Sequence, residues 1–158
     1  MNSRLVAGCM TGTSMDGIDV ALVEITGSGL NMRITVKRCL SRPMSKLGSR
    51  LRLIAQMLPI TAKEFAEISH SLSILHLNTL KELIGNDKVN LITVHGQTVY
   101  HAPPLSLQMV NPTPIALGLG VPVVTDLRAA DLASGGQGAP ITPIADFILY
   151  RSAAQSSY

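Results

Sequence analysis

Tryptophan is absent from this sequence, and the other aromatic residues are scarce, with two phenylalanines and three tyrosines among 158 residues. The hydrophobic core is therefore expected to be aliphatic. Charged residues make up only 15% of the chain and hydrophobic residues 46%, a composition that argues against intrinsic disorder. A chain of this length fits one domain that buries a core of its own.

Cysteines and long apolar runs are scarce too. Cys9 and Cys39 are too few for a disulfide framework, and we expect both to be reduced thiols in buried strands. A membrane span needs about 20 apolar residues. The longest apolar run, residues 115–124, is short and contains glycines and Pro122. We therefore expect a soluble cytoplasmic protein that has no membrane partner.

Acidic residues are missing between Glu24 and Glu64, and seven of the thirteen basic residues fall within residues 33–52. They are Arg33, Lys37, Arg38, Arg42, Lys46, Arg50 and Arg52. Such a basic stretch is either a nucleic-acid surface or the solvated side of a strand and of the helix that follows. The second interpretation is favoured, because no aromatic platform interleaves with the charges. We expect no nucleic-acid partner and only weak, salt-sensitive affinity for nucleic acid.

Hydrophobic periodicity predicts an antiparallel meander of three strands, followed by alternating helices and strands. The predicted strands are residues 4–10, 18–25, 32–39, 91–94 and 122–125, with a further short strand at 105–110. The predicted helices are residues 45–57, 61–84, 112–117 and 141–150. The second of these begins with a capping box, in which Thr61 is followed three residues later by Glu64. This order predicts a mixed sheet with helices on its faces.

Three polar segments follow predicted strands, at residues 11–17, 95–101 and 126–138. Ligands of such sheets bind at the carboxyl ends of the central strands. We therefore expect the three segments to converge on one binding site.

The first segment, Thr11-Gly12-Thr13-Ser14-Met15-Asp16-Gly17, offers successive backbone N–H groups that can form an anion site. It lacks the lysine and the following helix of a Walker A loop. A carboxylate nearby can hold magnesium through water, with Asp16 as the first candidate and Asp19 as the second. The Asp-Gly pair equally favours an ordinary hairpin turn, and the spacing alone leaves both interpretations open.

The second segment begins with His95-Gly96-Gln97-Thr98 and has no nucleophile beside a base. His95 and His101 lack a cysteine or an acid at metal-ligand spacing, so polar contacts to a sugar-like substrate are the favoured interpretation.

The third segment contains Asp126 at a strand end, where a carboxylate is well placed to act as a general base. Gly135-Gly136-Gln137-Gly138 allows the backbone to approach a ligand closely. The alternative is that Asp126 and Arg128 only stabilise the loop.

The stretches GCMTGTSMDGIDV, VHGQTVYHAP and VVTDLRAADLASGGQGAP match the anhydro-N-acetylmuramic acid kinases in order and spacing. The chain resembles the N-terminal portion of that family. The resemblance implies an α/β fold: an actin/hexokinase-like (ribonuclease H-like) lobe with a mixed five-stranded sheet, an antiparallel three-strand meander and helices on both faces. Residues 1–158 would be the N-terminal lobe of a two-lobed sugar kinase. The second lobe, with its own phosphate loop and adenosine pocket, is expected to be absent from this chain.

The resemblance further implies that ATP and Mg2+ are used to open 1,6-anhydro-N-acetylmuramic acid with water and to phosphorylate it at O6, in recycling of cell-wall sugars. The implied cofactor-binding residues are Gly12, Thr13, Ser14, Met15, Asp16, Gly17, Ile18 and Asp19, with Asp16 at the magnesium. The implied substrate-binding residues are His95, Gln97, Thr98, Arg128 and Gln137. Asp126 would be the base that activates water. The full-length enzyme is expected to be a homodimer. The alternative is a non-catalytic module that binds sugar or phosphate.

Three departures from the family pattern bear on substrate contacts. Asn111 replaces an acid at the end of Gln108-Met109-Val110-Asn111, and Leu127 replaces an aromatic residue. The segment around Asp146 lacks the histidine expected there.

Overall fold

The computed structural model describes residues 3–155. Its strands are β1 (Ser3–Thr11), β2 (Gly17–Thr26), β3 (Arg33–Pro43), β4 (Leu91–His95), β5 (Gln97–Ala102), β6 (Leu105–Met109) and β7 (Val123–Thr125). Its α-helices are α1 (Ser45–Ala55), α2 (Ala62–Ile84), α3 (Thr113–Leu119), α4 (Ala129–Ala133) and α5 (Pro143–Gln155).

Five strands form the main sheet, in the order β3-β2-β1-β4-β7. β2 is antiparallel to both β1 and β3, whereas β4 and β7 continue the sheet parallel to β1. The predicted mixed sheet and its antiparallel meander are confirmed. This strand order, with these directions, is the ribonuclease H-like arrangement that the family resemblance implies.

The aliphatic core lies between one face of the sheet, here called the core face, and α2. Strand alternation places Val20 and Leu22 of β2 on this face, where both are buried. α2 contacts β1, β2 and β3, and its Leu72 and Leu80 are fully buried. The capping box at the start of α2 is confirmed, since the Thr61 hydroxyl accepts a hydrogen bond from the Glu64 amide at 3.2 Å.

The opposite face of the sheet, here called the second face, carries small side chains. Gly8, Ala21 and Cys39 occupy one register row across β1, β2 and β3. On this side α5 contacts β3, and its Ile148 is buried. Helices therefore lie on both faces, as predicted.

The two cysteines differ in their surroundings. Cys9 is buried on the core face, where burial raises the pKa of its thiol. The prediction of a buried thiol is wrong for Cys39, which is exposed. Successive side chains of the edge strand β3 point to opposite faces of the sheet, and Cys39 points away from α2, onto the second face.

Helix α2 carries one exposed and one buried histidine. His70 is exposed. His76 is fully buried, and its Nδ1 lies 2.8 Å from the Leu72 carbonyl oxygen. Burial lowers the pKa of His76 to about 4, so its ring is neutral at physiological pH.

The structure adds two elements that the sequence pattern did not reveal. Residues 97–102, predicted as a polar loop, form β5, which pairs with β6 in a separate two-stranded sheet. Residues 129–133 of the third polar segment form α4. In β5 the alternation of buried Gln97 and Val99 with more exposed neighbours is that of a strand, but its polar composition conceals the pattern.

Most of the basic stretch is paired. Arg38 forms an ion pair with Asp87, in the turn after α2, and Arg42 forms one with Glu82, near the end of α2. Lys37 lies 2.9 Å from Glu24, and Arg50 lies 3.4 Å from Glu67. These contacts support the interpretation of the stretch as a solvated side, while the lack of a nucleic-acid partner stays a prediction. Among the helices within residues 3–155, none combines the length and apolar character needed to cross a bilayer.

Candidate functional site

The hairpin between β1 and β2 is held from behind by α1. Met15, at its tip, is buried and adopts a left-handed backbone with φ of 53°. Its carbonyl oxygen packs so closely on Gly48 of α1 that a Cβ at Gly48 would overlap it. Arg52, also on α1, donates to the Ser14 carbonyl oxygen at 2.8 Å. The hairpin is therefore fixed by contacts with α1 as well as by the pairing of β1 with β2.

The outer side of the hairpin is polar and accessible. Thr13, Ser14 and Asp16 are exposed, and within residues 3–155 the amides of Thr13 and Ser14 donate no hydrogen bond. The Ser14 hydroxyl donates to Asp16 Oδ1 at 2.7 Å, and this hydrogen bond, with help from backbone amides, lowers the pKa of Asp16. The hairpin thus offers free N–H groups beside an ionised carboxylate.

The second segment divides between the cleft and the core. Gly96 follows β4 at a point where a Cβ would lie 2.7 Å from the Met109 carbonyl oxygen, so only glycine fits there. Gln97 is fully buried, and its Nε2 donates to the Thr98 carbonyl oxygen at 3.1 Å. The Thr98 hydroxyl donates to Gln108 Oε1 at 2.5 Å.

The third segment is folded around Arg128. Its Nη1 donates to the Gly138 carbonyl oxygen at 2.5 Å, and the Gly138 amide donates to Asp131 Oδ2 at 2.6 Å. Arg128 Nη2 reaches His95 Nε2 of the second segment at 3.4 Å. Asp126 is exposed and has a left-handed backbone with φ of 56°.

The three polar segments meet at a cleft of about 610 Å³, which runs over the second face of the sheet. Of the residues predicted for the site, the cleft is lined by Gly12, Thr13, Asp19, His95, Thr98 and Arg128. The predicted convergence of the segments is therefore present in the structure. Whether these side chains bind cofactor and substrate stays a prediction.

The other predicted residues do not line this cleft. They are Ser14, Met15, Asp16, Gly17, Ile18, Gln97, Asp126 and Gln137. Met15, Ile18 and Gln97 are buried. Asp126 and Gln137 are exposed beside it.

Several lining residues were missed by sequence reasoning. Ser41 and Thr93 line the cleft and were not predicted for the site, whereas Thr11 and Leu127 line it from the first and third polar segments. Ser41 donates to Asp19 Oδ1 at 2.5 Å, a contact between strands that no sequence spacing reveals. Thr93 was discoverable, because it lies two residues before His95 in β4 and therefore on the same face.

Buried polar atoms without partners gather at the carboxyl ends of the parallel strands. Within the described part of the chain they include Thr11 Oγ1, His95 Nδ1, Thr125 Oγ1 and Arg128 Nε. Leaving one such group unpaired costs about 1–3 kcal/mol. Their concentration at this edge is what a site for a polar ligand requires.

His95 carries the electrostatics of the cleft. Burial lowers the pKa of its imidazole, and the Arg128 guanidinium lowers it further, while the Asp126 carboxylate opposes both effects. His95 is therefore neutral at physiological pH, and Asp126 lies close enough to influence it.

Two departures from the family pattern are accommodated. Asn111 Oδ1 accepts a hydrogen bond from the Thr113 amide at 3.0 Å, so the amide oxygen serves at the start of α3 as a carboxylate would. Leu127 lines the cleft with 43% of its surface exposed. The segment around Asp146 lies in α5, where Asp146 is exposed.

The strand order is that of a ribonuclease H-like lobe, and the polar segments at its strand ends converge on one cleft, where ligands of such sheets bind. The chain belongs to the anhydro-N-acetylmuramic acid kinase family, whose model matches residues 4–158. The resemblance seen in the sequence is thereby confirmed.

Two curated relatives carry the name anhydro-N-acetylmuramic acid kinase. The one from Bacillus thuringiensis (strain Al Hakam) is 32% identical over 99% of this chain, and the one from Francisella tularensis subsp. novicida (strain U112) is 35% identical over 97%. The chain spans 44% of the length of each.

Two solved structures of the Aquifex aeolicus Ppx/GppA enzyme also match. They are 13% and 14% identical, with TM-scores of 0.33 and 0.36. The matches cover 78% and 80% of this chain and 36% of each of those chains.

Gly48→Ala is expected to loosen the hairpin. The new methyl group meets the Met15 carbonyl oxygen, which belongs to the backbone and cannot turn aside. We expect the free energy of unfolding, measured with urea, to fall by about 1–3 kcal/mol. Ser49→Ala, at the exposed next position of α1, is the matched control and should leave stability unchanged or slightly raised. Equal stability of the two variants would contradict the close packing of hairpin and helix.

The charges around His95 can be tested by NMR titration of its imidazole. Arg128→Gln removes a cation that disfavours the protonated ring, so the pKa of His95 should rise. Asp126→Asn removes an anion that favours the protonated ring, so the pKa of His95 should fall. An unchanged titration in the Asp126 variant would show that this carboxylate does not face His95.

Proposed function

We propose that this chain provides the N-terminal lobe of an ATP-dependent kinase that opens 1,6-anhydro-N-acetylmuramic acid and phosphorylates it at O6. The product is N-acetylmuramic acid 6-phosphate, and the proposed role is recycling of cell-wall amino sugars. The observation that carries the proposal is the convergence of segments from the ends of β1, β4 and β7 on one cleft. The names of the curated relatives support the same activity.

The proposed chemistry couples hydrolysis to phosphoryl transfer. Water adds to the anomeric carbon, the bond between that carbon and O6 breaks, and O6 takes the γ-phosphoryl group of ATP. Transfer of this kind depends on positioning and charge neutralisation more than on covalent help from the protein. ATP with Mg2+ supplies the phosphoryl group, and the protein has to orient the sugar and exclude competing water.

The β1–β2 hairpin fits the proposed role of phosphate holder. The free amides of Thr13 and Ser14 suit phosphate oxygens, and the ionised Asp16 suits magnesium. Mg2+ is commonly held by one or two carboxylates together with substrate phosphates. No group of three or more metal-ligating side chains occurs within residues 3–155, so a phosphate-bearing ligand would have to complete the coordination.

Asp126 is proposed as the base that activates water for attack on the sugar. Its position just beyond the end of β7 and its left-handed backbone support this role, since such strained conformations concentrate at functional sites. His95, Thr98 and Arg128 are proposed to hold the sugar from the cleft wall. Gln137, exposed on the neighbouring loop, is proposed to contact it from outside.

A non-catalytic module that binds sugar or phosphate is the second candidate. The same convergence of polar segments supports it, because binding needs no second phosphate loop. Turnover separates the two candidates, while binding of the sugar is common to both.

The purified 158-residue chain is expected to bind 1,6-anhydro-N-acetylmuramic acid at the cleft but to bind Mg2+–ATP weakly and to release no ADP. In-line transfer requires the phosphate-binding groups of both proposed lobes to be held together around the nucleotide, and misplacement of the reacting groups by about 1 Å can cost a hundredfold in rate. Amide shifts in an NMR titration should move at residues 11–13, 95–98 and 127–128. Calorimetry with Mg2+–ATP and a coupled ADP-release assay complete the measurement.

Amides around Lys88, in the turn after α2, are the internal control and should stay still during the sugar titration. Absence of any shift at the cleft would contradict the proposed function. Robust ADP release by the 158-residue chain would show that the active site is complete within it.

Asp126→Asn is expected to separate catalysis from binding. The variant keeps the shape of the side chain and removes its basicity, so turnover in a form of the protein that is active should fall at least about a hundredfold, while sugar affinity persists. Asp87→Asn, at an exposed acid in the turn after α2 and outside the cleft lining, is the matched control and should turn over normally. Near-normal turnover of the Asp126 variant would remove this residue from the role of base.

A further inference from the structure

The loop that follows α4 is wrapped around one residue, Asp131. The Asp131 carbonyl oxygen accepts a hydrogen bond from the Gly136 amide at 2.8 Å, and its carboxylate Oδ2 accepts one from the Gly138 amide at 2.6 Å. Gly136 lies so close to this carboxylate that a Cβ at that position would overlap it. Asp131 therefore fixes the backbone of residues 136–138 at two points.

The fixed backbone in turn orients Arg128. The Gly138 carbonyl oxygen accepts from Arg128 Nη1 at 2.5 Å, and Arg128 Nη2 lies 3.4 Å from His95 Nε2. Because a guanidinium has only N–H groups, Arg128 donates in both contacts, and the ring nitrogen that faces it has to be unprotonated. One chain of contacts thus connects an exposed acid of α4 with a histidine at the end of β4.

Asp131 acts on Arg128 through this peptide and not by direct pairing. Within residues 3–155 neither side chain forms an ion pair. The Gly138 carbonyl oxygen and His95 Nε2 are the only acceptors of Arg128 in the same part of the chain. Side chains of a site keep their geometry when neighbouring hydrogen bonds fix them, so the position of this guanidinium depends on the Gly138 peptide.

We propose that Asp131 is a positioning residue that holds the Arg128 guanidinium against His95 through the Gly138 peptide. The inference rests on the proposed function, in which Arg128 and His95 contact the sugar, and it adds the acid that places them. Asp131 itself lies outside the cleft lining.

The test is an NMR titration of the His95 imidazole in the 158-residue chain, because positioning and simple charge predict opposite signs. Asp131→Ala releases Arg128, whose cation disfavours the protonated ring, so the pKa of His95 should rise, by no more than in Arg128→Gln. If Asp131 acted only as a nearby anion, its loss would lower the pKa of His95 instead. Asp131→Asn keeps an acceptor for the Gly138 amide and should give no rise.

The other charges near His95 stay the same in these variants. Asp126 influences its pKa, and Asp19 lies in the same register row, two strands away.

Gly136→Ala repeats the test without a change of charge. The new methyl group displaces the Asp131 carboxylate from the Gly138 amide, so the pKa of His95 should again rise. Ser134→Ala is the matched control in the same loop, since its hydroxyl donates only to the Ala130 carbonyl oxygen at 2.9 Å. In that variant His95 should titrate as in the wild-type chain.

A double variant shows whether the effect passes through Arg128. Asp131→Ala combined with Arg128→Gln should raise the pKa of His95 no further than Arg128→Gln alone, because residues that act through one contact are not additive. A further rise would mean that Asp131 acts on His95 independently, and it would overturn the proposal. A fall or no change in Asp131→Ala would overturn it as well.

The wild-type chain supplies a measurement that needs no variant to fold. The Gly138 amide shift should follow the titration of the Asp131 carboxylate, and an amide shift that does not follow it would overturn the proposal. None of these measurements needs the sugar. If His95 responds as expected and the chain binds no sugar, the proposed function fails while the positioning by Asp131 stands.

Discussion

The parallel pairing of β4 with β1 is the constraint on which the site depends. It sets His95 opposite Met10, one residue before Thr11, while β7 ends opposite Val94. Three strands thus stop at nearly the same level, and the segments that follow them face one another. A shift of one residue in this register would turn His95 onto the core face and direct a different side chain into the cleft. The close passage of Gly96 beneath Met109 fixes the point at which β4 must end.

Several residues at this edge of the sheet lower the stability of the fold. Buried groups of Thr11, His95 and Arg128 lack partners, and Asp126 adopts a backbone that non-glycine residues rarely use. The rest of the lobe compensates through well-packed aliphatic contacts, with Leu72, Leu80 and Ile92 completely enclosed. Within the described part of the chain, His76 Nε2 in α2 and Gln97 Oε1 are buried and unpaired as well, but the other four such atoms lie at this edge. Such a concentration is typical of a site whose residues serve binding at some cost in stability.

Most of the fold was predictable from patterns within single strands and helices. The alternation of β2 and the capping box of α2 predicted their elements because local physics, burial on one face and amide satisfaction at a helix start, decides both. The strand β5 was not predicted, because Gln97 and Thr98 are polar. The burial of Cys39 was wrongly predicted, because an edge strand buries one of its faces more fully than the other. The convergence of the three segments was predictable from strand ends. The individual contacts, such as Arg128 on His95, depend on loop shape, which no spacing encodes.

The row of small residues on the second face has a practical consequence through Cys39. Its exposed thiol lies in the wall of the cleft, whereas the thiol of Cys9 is enclosed on the core face and kept protonated by its raised pKa. A thiol-reactive fluorophore or fluorine tag would therefore attach at one natural position and sit beside the bound molecule. The unaltered protein carries its own attachment point for a spectroscopic sensor of cleft occupancy.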